Sequence, residues 1–282
     1  MSRHAFQPRV SIVTGGAAGI GKAIATELAA RGSHVVVADL DGSAAQETAA
    51  DISAGTAGSA EAALVDVSDY DAVKALVERT VAGHGRLDVM VNNAGIALGG
   101  LVEELDERHW DRALAVNLGG VINGVRAAYP VMREQRSGHI LNTGSLAGLI
   151  PAPSMLPYTT TKHAVVGLST ALRGEAASLG IKVSVLCPGF VDTKLLDEIY
   201  EAPASIEGGS VRRTVRLMQP KFLTPAQVGA KAVAGLERNQ AIIPVGYLAQ
   251  VLWRLNRYAP RAARAVCQTQ STVYRRRILG RR

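Results

Sequence analysis

The chain has 282 residues, 48% hydrophobic and 20% charged, a balance that fits one large α/β domain with a sizeable core and excludes a disordered or fibrous chain. Its two cysteines, Cys187 and Cys267, stand 80 positions apart, which argues against a disulfide framework and suits a reducing cytoplasm. No apolar run reaches about 18 residues, and Met1 to Arg9 lacks the apolar centre of a signal peptide, so a cytoplasmic chain without a membrane-spanning helix is expected. The net charge of +7 is uneven: residues 239–282 hold nine arginines with no lysine and no acid, leaving the body near neutral. The basic character belongs to the tail, and nucleic acid is not an expected partner of the fold.

In chain order, strands and helices alternate. Val10 to Val13 is a predicted strand, then a Gly-rich turn, then a helix over Lys22 to Arg31. His34 to Leu40 contains a continuous apolar run that suits a parallel strand buried on both faces. A helix over Ala44 to Ile52, a strand over Ala62 to Val67, a helix over Asp71 to Ala82 and a strand over Leu87 to Val91 follow. One long helical stretch, Glu107 to Arg136, is expected to carry an interruption. His139 to Thr143, Tyr158 to Leu179 and Lys182 to Leu186 then read as strand, helix and strand. Residues 194–224 break the rhythm and are expected to overhang the carboxyl ends of the strands. Pro225 to Arg238 and Ala241 to Val245 close the series. This order predicts an α/β fold, a doubly wound parallel sheet of the Rossmann type in one domain over 1–246, with 247–282 as an extension.

The turn Thr14-Gly15-Gly16-Ala17-Ala18-Gly19-Ile20-Gly21 lies between the first strand and first helix. Small residues there let a pyrophosphate approach the backbone, where helix N–H groups and the helix dipole favour an anion. The spacing is G-x-x-x-G-x-G, and alone it does not distinguish a nucleotide site from a bare glycine turn. Asp39, followed by Leu40, ends the second strand 18 residues after Gly21. A carboxylate there accepts hydrogen bonds from ribose hydroxyls and repels a 2′-phosphate, so NAD is favoured over NADP.

Tyr158 and Lys162 are four apart on a predicted helix and share a face. A nearby ammonium is expected to lower the phenol's pKa and make it usable as an acid/base. The same spacing occurs at Tyr70 and Lys74, but Asp66, Asp69 and Asp71 surround that tyrosine in sequence, so it reads as structural. Ser145, 13 residues before Tyr158 and just after a strand, can meet a substrate oxygen beside the phenol. The lone histidines, including His163, read as structural or surface residues, Cys187 as a buried small residue and Trp110 as packing.

With these residues in order, the sequence resembles the short-chain dehydrogenase/reductase family from Thr14 to about Thr193. The resemblance covers the glycine turn, Asp66-Val67, the Asn92-Asn93-Ala94-Gly95 segment, Asn117, Ser145, Tyr158, Lys162 and Pro188-Gly189-Phe190-Val191-Asp192-Thr193. It implies that Asp66 and Val67 contact the adenine and that Asn93, Ala94 and Gly95 line the cofactor. It implies further that Pro188, Gly189, Val191 and Thr193 flank the nicotinamide. Asn117 would hold a water in a proton relay through Lys162, Ser145 would position the substrate oxygen, and Tyr158 would exchange its proton. The implied reaction is hydride transfer between NAD and an alcohol or ketone, in a dimer or tetramer. An NADPH-dependent 3-oxoacyl reductase, a cofactor-sensing protein without turnover and a membrane-associated scaffold are the alternatives.

Ala147 to Leu156 joins Ser145 to Tyr158 and, with Ala97 and Leu98, is nearly devoid of polar groups. It suits a pocket for a lipophilic alcohol or ketone, or else a face packed on another subunit. In the tail, Leu248, Val251, Leu252, Leu255 and Ala259 share a predicted helical face opposite Arg254 and Arg257, and Pro260 starts a new segment. Docking on the domain or on a second subunit, peripheral contact with an anionic membrane, and nucleic-acid contact through Arg275 to Arg277 and Arg281-Arg282 are the three readings.

Overall fold

A computed structural model describes residues 6–196 and 221–279 of the chain. Seven parallel strands form one sheet in the order β3-β2-β1-β4-β5-β6-β7. They are β1 (Val10–Thr14), β2 (His34–Asp39), β3 (Ser59–Leu64), β4 (Val89–Asn92), β5 (Gly138–Thr143), β6 (Ile181–Pro188) and β7 (Ile242–Val245). The helices are α1 (Gly19–Ala29), α2 (Gly42–Gly55), α3 (Tyr70–His84), α4 (Glu107–Ala113), α5 (Gly120–Gln135), α6 (Leu156–Ala176) and α7 (Pro225–Glu237). Two tail helices, α8 (Tyr247–Tyr258) and α9 (Pro260–Leu279), follow.

Strand periodicity explains the layers. Val35 and Val37 of β2 join one buried cluster with α1, α2 and α7, while Val36 and Ala38 join a second with α3 and α5. Both faces of the sheet are covered, which is why β2 is apolar from Val35 to Ala38. A smaller cluster links Val121 of α5 and Val165 of α6 to β6, with Trp253 of α8 packed against it. The strand order reverses between β1 and β4, so the crevice for a ligand opens at their carboxyl ends.

β3 and α1 are among the elements whose boundaries differ from the sequence expectation. β3 runs over Ser59–Leu64, three residues earlier than Ala62 to Val67, because His34 pairs with Ser59 and Asp39 with Leu64. Val65 and Val67 are buried, but beyond the ladder. α1 begins at Gly19 rather than Lys22, since the glycine turn itself winds into the first helical turn. The Glu107 to Arg136 stretch is interrupted as expected, dividing into α4, a π turn over Leu114–Gly119, and α5. Of the irregular 194–224 segment, residues 197–220 lie outside the described residues.

Candidate active site

Gly15 and Gly19 both adopt positive φ, +60° and +54°. A Cβ on Gly15 would stand 2.8 Å from the Ala94 Cα, and one on Gly21 would run into the Gly15 carbonyl. The turn therefore needs these glycines for its conformation and its close packing. At the start of α1 the N-cap is Ala18, which supplies no side-chain cap, whereas Asp41 and Asp69 cap α2 and α3. The first N–H groups of α1 are thus left to other acceptors, and a phosphate fits that need. Ile20 is half-buried against the α1 cluster.

Asp39 ends β2 beside this turn. Its carboxylate accepts the Ala17 N–H at 3.0 Å and the Asp41 N–H at 3.2 Å. Leu40 beside it is exposed. Asp66 is held by Ser68, through the hydroxyl at 2.7 Å and the N–H at 2.9 Å, and these bonds keep its carboxyl below the usual range. Val67 is buried, and its carbonyl accepts from Asn123 at 2.9 Å. The Asn93 amide donates to the Thr14 and Gly15 carbonyls, each at 3.1 Å, while the Thr14 hydroxyl accepts from the Asn93 and Ala94 N–H groups. The β4 end is thereby locked to the glycine turn.

Thr193 lies directly over Gly19, where an added Cβ would be 3.2 Å from its methyl. Pro188 ends β6, the Gly189 N–H donates to the Val245 carbonyl, and buried Val191 bridges to Leu223. All the residues expected at the nucleotide site thus sit at one end of the sheet, above β1, β2, β4 and β6.

Ser145 stands two residues past β5 in extended conformation, with its hydroxyl oxygen accepting the Ala147 N–H at 3.1 Å. The turn that follows lies on α6, close enough that a Cβ on Gly148 would sit 2.5 Å from the Lys162 carbonyl oxygen. Ser145 lies near Tyr158, and its hydroxyl acts to lower the phenol's pKa. The Lys162 Nζ is 5.6 Å from the centre of the Tyr158 ring and donates to the Thr143 carbonyl at 2.8 Å. Asn117 lies in the π turn, a feature that often marks functional positions. Its amide donates to the Ile96 carbonyl at 3.0 Å and accepts the Ile96 N–H at 2.8 Å. Its side chain is therefore bound to the segment after Gly95, and Lys162 is anchored to Thr143 instead.

Electrostatics correct one expectation. Burial raises the Tyr158 pKa, and the Ser145 hydroxyl opposes but does not outweigh it. Burial lowers the Lys162 pKa to about 8. Cys187, buried beneath both, is pushed up to about 12 and stays a neutral thiol. The Arg126 guanidinium lies 3.8 Å above the Tyr70 ring.

The apolar segment after Ser145 is covered by the chain's own tail. The Leu149 carbonyl accepts from Asn256 of α8 at 2.9 Å, and Cys267 of α9 approaches the Pro151 carbonyl at 3.4 Å. Arg275 of α9 pairs with both carboxylate oxygens of Glu103, at 2.7 and 2.8 Å. Leu248, Leu252, Leu255 and Ala259 of the expected α8 face are half-buried, and Arg254 and Arg257 are exposed. Ala249 is buried and Trp253 packs inward, while Val251 is 37% exposed. Arg281 and Arg282 lie outside the described residues.

Two parts of the site were missed in the sequence. The Thr143 carbonyl that holds Lys162 is a main-chain group and leaves no sequence signal. The buried Asn92–Asn142–Ser169 chain, with bonds of 2.8 and 2.9 Å, braces β4, β5 and α6 under the site. Polar residues inside two strands that otherwise read as apolar were its available signal.

The profile of the short chain dehydrogenase family matches residues 9–204. A probable oxidoreductase EphD of Mycobacterium tuberculosis is 35% identical over 271 residues, covering 94% of this chain. The chain spans 46% of that relative's length. A 3-oxoacyl-[acyl-carrier-protein] reductase FabG of Chlamydia muridarum is 38% identical over 66% of this chain and 75% of its own. Among solved structures, a short chain dehydrogenase/reductase from Burkholderia phymatum, crystallised with NAD, superposes with a TM-score of 0.80 at 29% identity. The alignment covers 92% of this chain and 96% of that one. The chain belongs to the short chain dehydrogenase family of oxidoreductases.

Proposed function

We propose that the protein is an NAD-dependent dehydrogenase that interconverts a lipophilic, secondary alcohol and its ketone, with Tyr158 as acid/base. The observation that carries the cofactor choice is the Asp39 carboxylate, held at the end of β2 by the Ala17 and Asp41 N–H groups. So fixed, it can accept from both ribose hydroxyls, and it stands where a 2′-phosphate would meet a negative charge. Bound NAD supplies the hydride acceptor. Gly15, Gly19, Ile20 and Gly21 would receive its pyrophosphate, Leu40, Asp66 and Val67 would border the adenine, and Asn93, Ala94 and Gly95 would line it. Pro188, Gly189, Val191 and Thr193 flank the nicotinamide end, and Lys162 holds the adjoining ribose.

The protein's own chemistry is proton transfer and positioning. Ser145 donates a hydrogen bond to the substrate oxygen, and the Tyr158 hydroxyl exchanges the proton with it. Asn117 holds the Ile96 segment in place and completes the group. Leu98, Leu149 and their neighbours exclude water from this exchange. The contacts of α8 and α9 with Leu149 and Pro151 favour the docking reading of the tail over the membrane and nucleic-acid readings. We take residues 1–246 as the dehydrogenase unit, 247–282 as an extension on its substrate side, and a homo-oligomer in the cytoplasm as the working form.

Similarity to FabG favours a second reading, an NADPH-dependent 3-oxoacyl reductase. Cofactor titration separates the two. Wild-type protein is expected to bind NAD at least about tenfold tighter than NADP, and Asp39→Ala to narrow that ratio. Equal or tighter NADP binding by wild-type protein would move the assignment to the reductase.

A further inference from the structure

We propose that His34, Glu61 and His84 form a site for one divalent transition ion of the zinc class, at the end of the sheet away from the catalytic cleft. Each offers one ligand atom, and the three atoms lie within 4.8 Å of one another, the one such His/Cys/Asp/Glu grouping among the described residues. Three elements converge there. His34 opens β2, Glu61 lies on β3 two residues past Ser59, the register partner of His34, and His84 ends α3. Gly85 follows with φ +75°, which terminates α3 and leaves the His84 ring at its tip.

The His34 ring is already set as a ligand would be. Its Nδ1 shares a 2.8 Å hydrogen bond with the Ser59 hydroxyl, which fixes the ring and turns Nε2 the other way. That Nε2 is buried and has no hydrogen-bond partner among the described residues. The Glu61 Oε1 stands 3.9 Å from it, beyond hydrogen-bond reach. The two imidazoles lie 4.1 Å apart between ring centres, tilted by 32°. Burial and then His84 hold His34 below the usual imidazole range, with Glu61 offsetting them only in part.

The donor set chooses the ion. Two imidazoles and one carboxylate suit zinc, whereas calcium and magnesium take oxygen ligands. A tetrahedral zinc with bonds of about 2.0–2.1 Å spaces its ligands about 3.3 Å apart. The cluster must close by less than about 1.5 Å to reach that spacing. The Glu61 side chain, 48% exposed, can swing to do so, and its open side admits water as fourth ligand. The ion would tie edge strand β3 to β2 and α3. His34 and Asp39 are five positions apart on β2, about 16 Å, so the site is separate from the nucleotide.

The test is calorimetric titration of tag-free, EDTA-stripped full-length protein with zinc chloride, repeated on His84→Gln and Glu61→Gln. Cobalt(II) absorbance reports coordination geometry. Both variants alter partly exposed side chains, so dehydrogenase activity and circular dichroism should stay unchanged. One zinc per wild-type chain, the strong visible bands of tetrahedral cobalt, and at least about tenfold weaker binding in each variant are expected. No binding, or wild-type affinity retained in His84→Gln, would overturn the proposal.

Discussion

Tyr158 and Lys162 share one face of α6, and burial pushes the two in opposite directions. The phenol is raised and the ammonium lowered to about 8, so each resists its charged form. For alcohol oxidation the phenol must give up its proton before accepting one from the substrate. The oxidation rate should therefore climb with pH above neutrality, while ketone reduction, which uses the protonated phenol, should hold level over the same range. Steady-state kcat profiles in both directions check this. Tyr158→Phe should lower kcat by at least about 10³-fold while NAD binding, read by calorimetry, persists. The lysine has a cost that can be measured separately. Its folded-state value of about 8 lies below the ordinary 10.5, so the unfolded chain binds more protons between those pH values. Stability should rise with pH across that window, and the penalty is fully present below about 8. Lys162→Met should stabilise the fold by about 1–3 kcal/mol at pH 7, with the difference from wild type shrinking as pH passes 8. Urea titrations at pH 7 and pH 10 provide the comparison.

Elements meet at this site through close contacts that the sequence shows unevenly. α5 lies against β4 at Gly124, where an added Cβ would collide with the Asn92 amide. Asn92 is already bonded to Asn142, so it cannot simply turn aside. Gly124→Ala should destabilise by about 1–3 kcal/mol and disturb the Asn92–Asn142–Ser169 chain, which a thermal melt would register. Nothing in the sequence marks Gly124 as different from Gly83 or Gly174, which have open space around them. By contrast, β2 and the glycine turn were plain from the sequence, because a doubly buried strand must be apolar and a close backbone approach needs glycine. β3 was misplaced because edge-strand residues such as Glu61 and Leu64 are exposed and lack the apolar run that marks a central strand. The apolar face of α8 was legible by spacing except at Val251, which is exposed, while Trp253 and Asn256 add contacts that the spacing did not mark. Ser145, Tyr158 and Lys162 were legible because their order and spacing are local. The main-chain acceptor of Lys162 was not, since a carbonyl has no letter of its own.

At the scale of the whole molecule, buried polar groups tie stability to pH. His139 on β5 is 3% exposed, shares a 2.8 Å hydrogen bond with Ser184 and has an unpartnered Nδ1 among the described residues. Burial, with Lys182 and Arg173 adding to it, holds its pKa at about 3 against the ordinary 6.5. The unfolded chain therefore takes up a proton between pH 6.5 and 3 that the folded chain refuses. Stability is lost as pH falls through that window, by about 3 kcal/mol at pH 4 from this group. His139→Gln should remove that share, so its acid-unfolding midpoint should fall below that of wild-type protein in a fluorescence titration.

The account of function rests on the joint presence of a ribose-ready carboxylate, a glycine turn at an uncapped helix start, and a serine–tyrosine–lysine group at one end of the sheet. The most direct measurement is NADH absorbance with purified protein, NAD or NADP, and alcohols spanning short-chain, sterol, retinoid and long-chain types, with Tyr158→Phe alongside. The account predicts NADH formation by the wild-type protein alone, with NAD in preference to NADP, and on lipophilic secondary alcohols. Equal turnover by Tyr158→Phe, or no turnover of any alcohol while NAD binds, would contradict it.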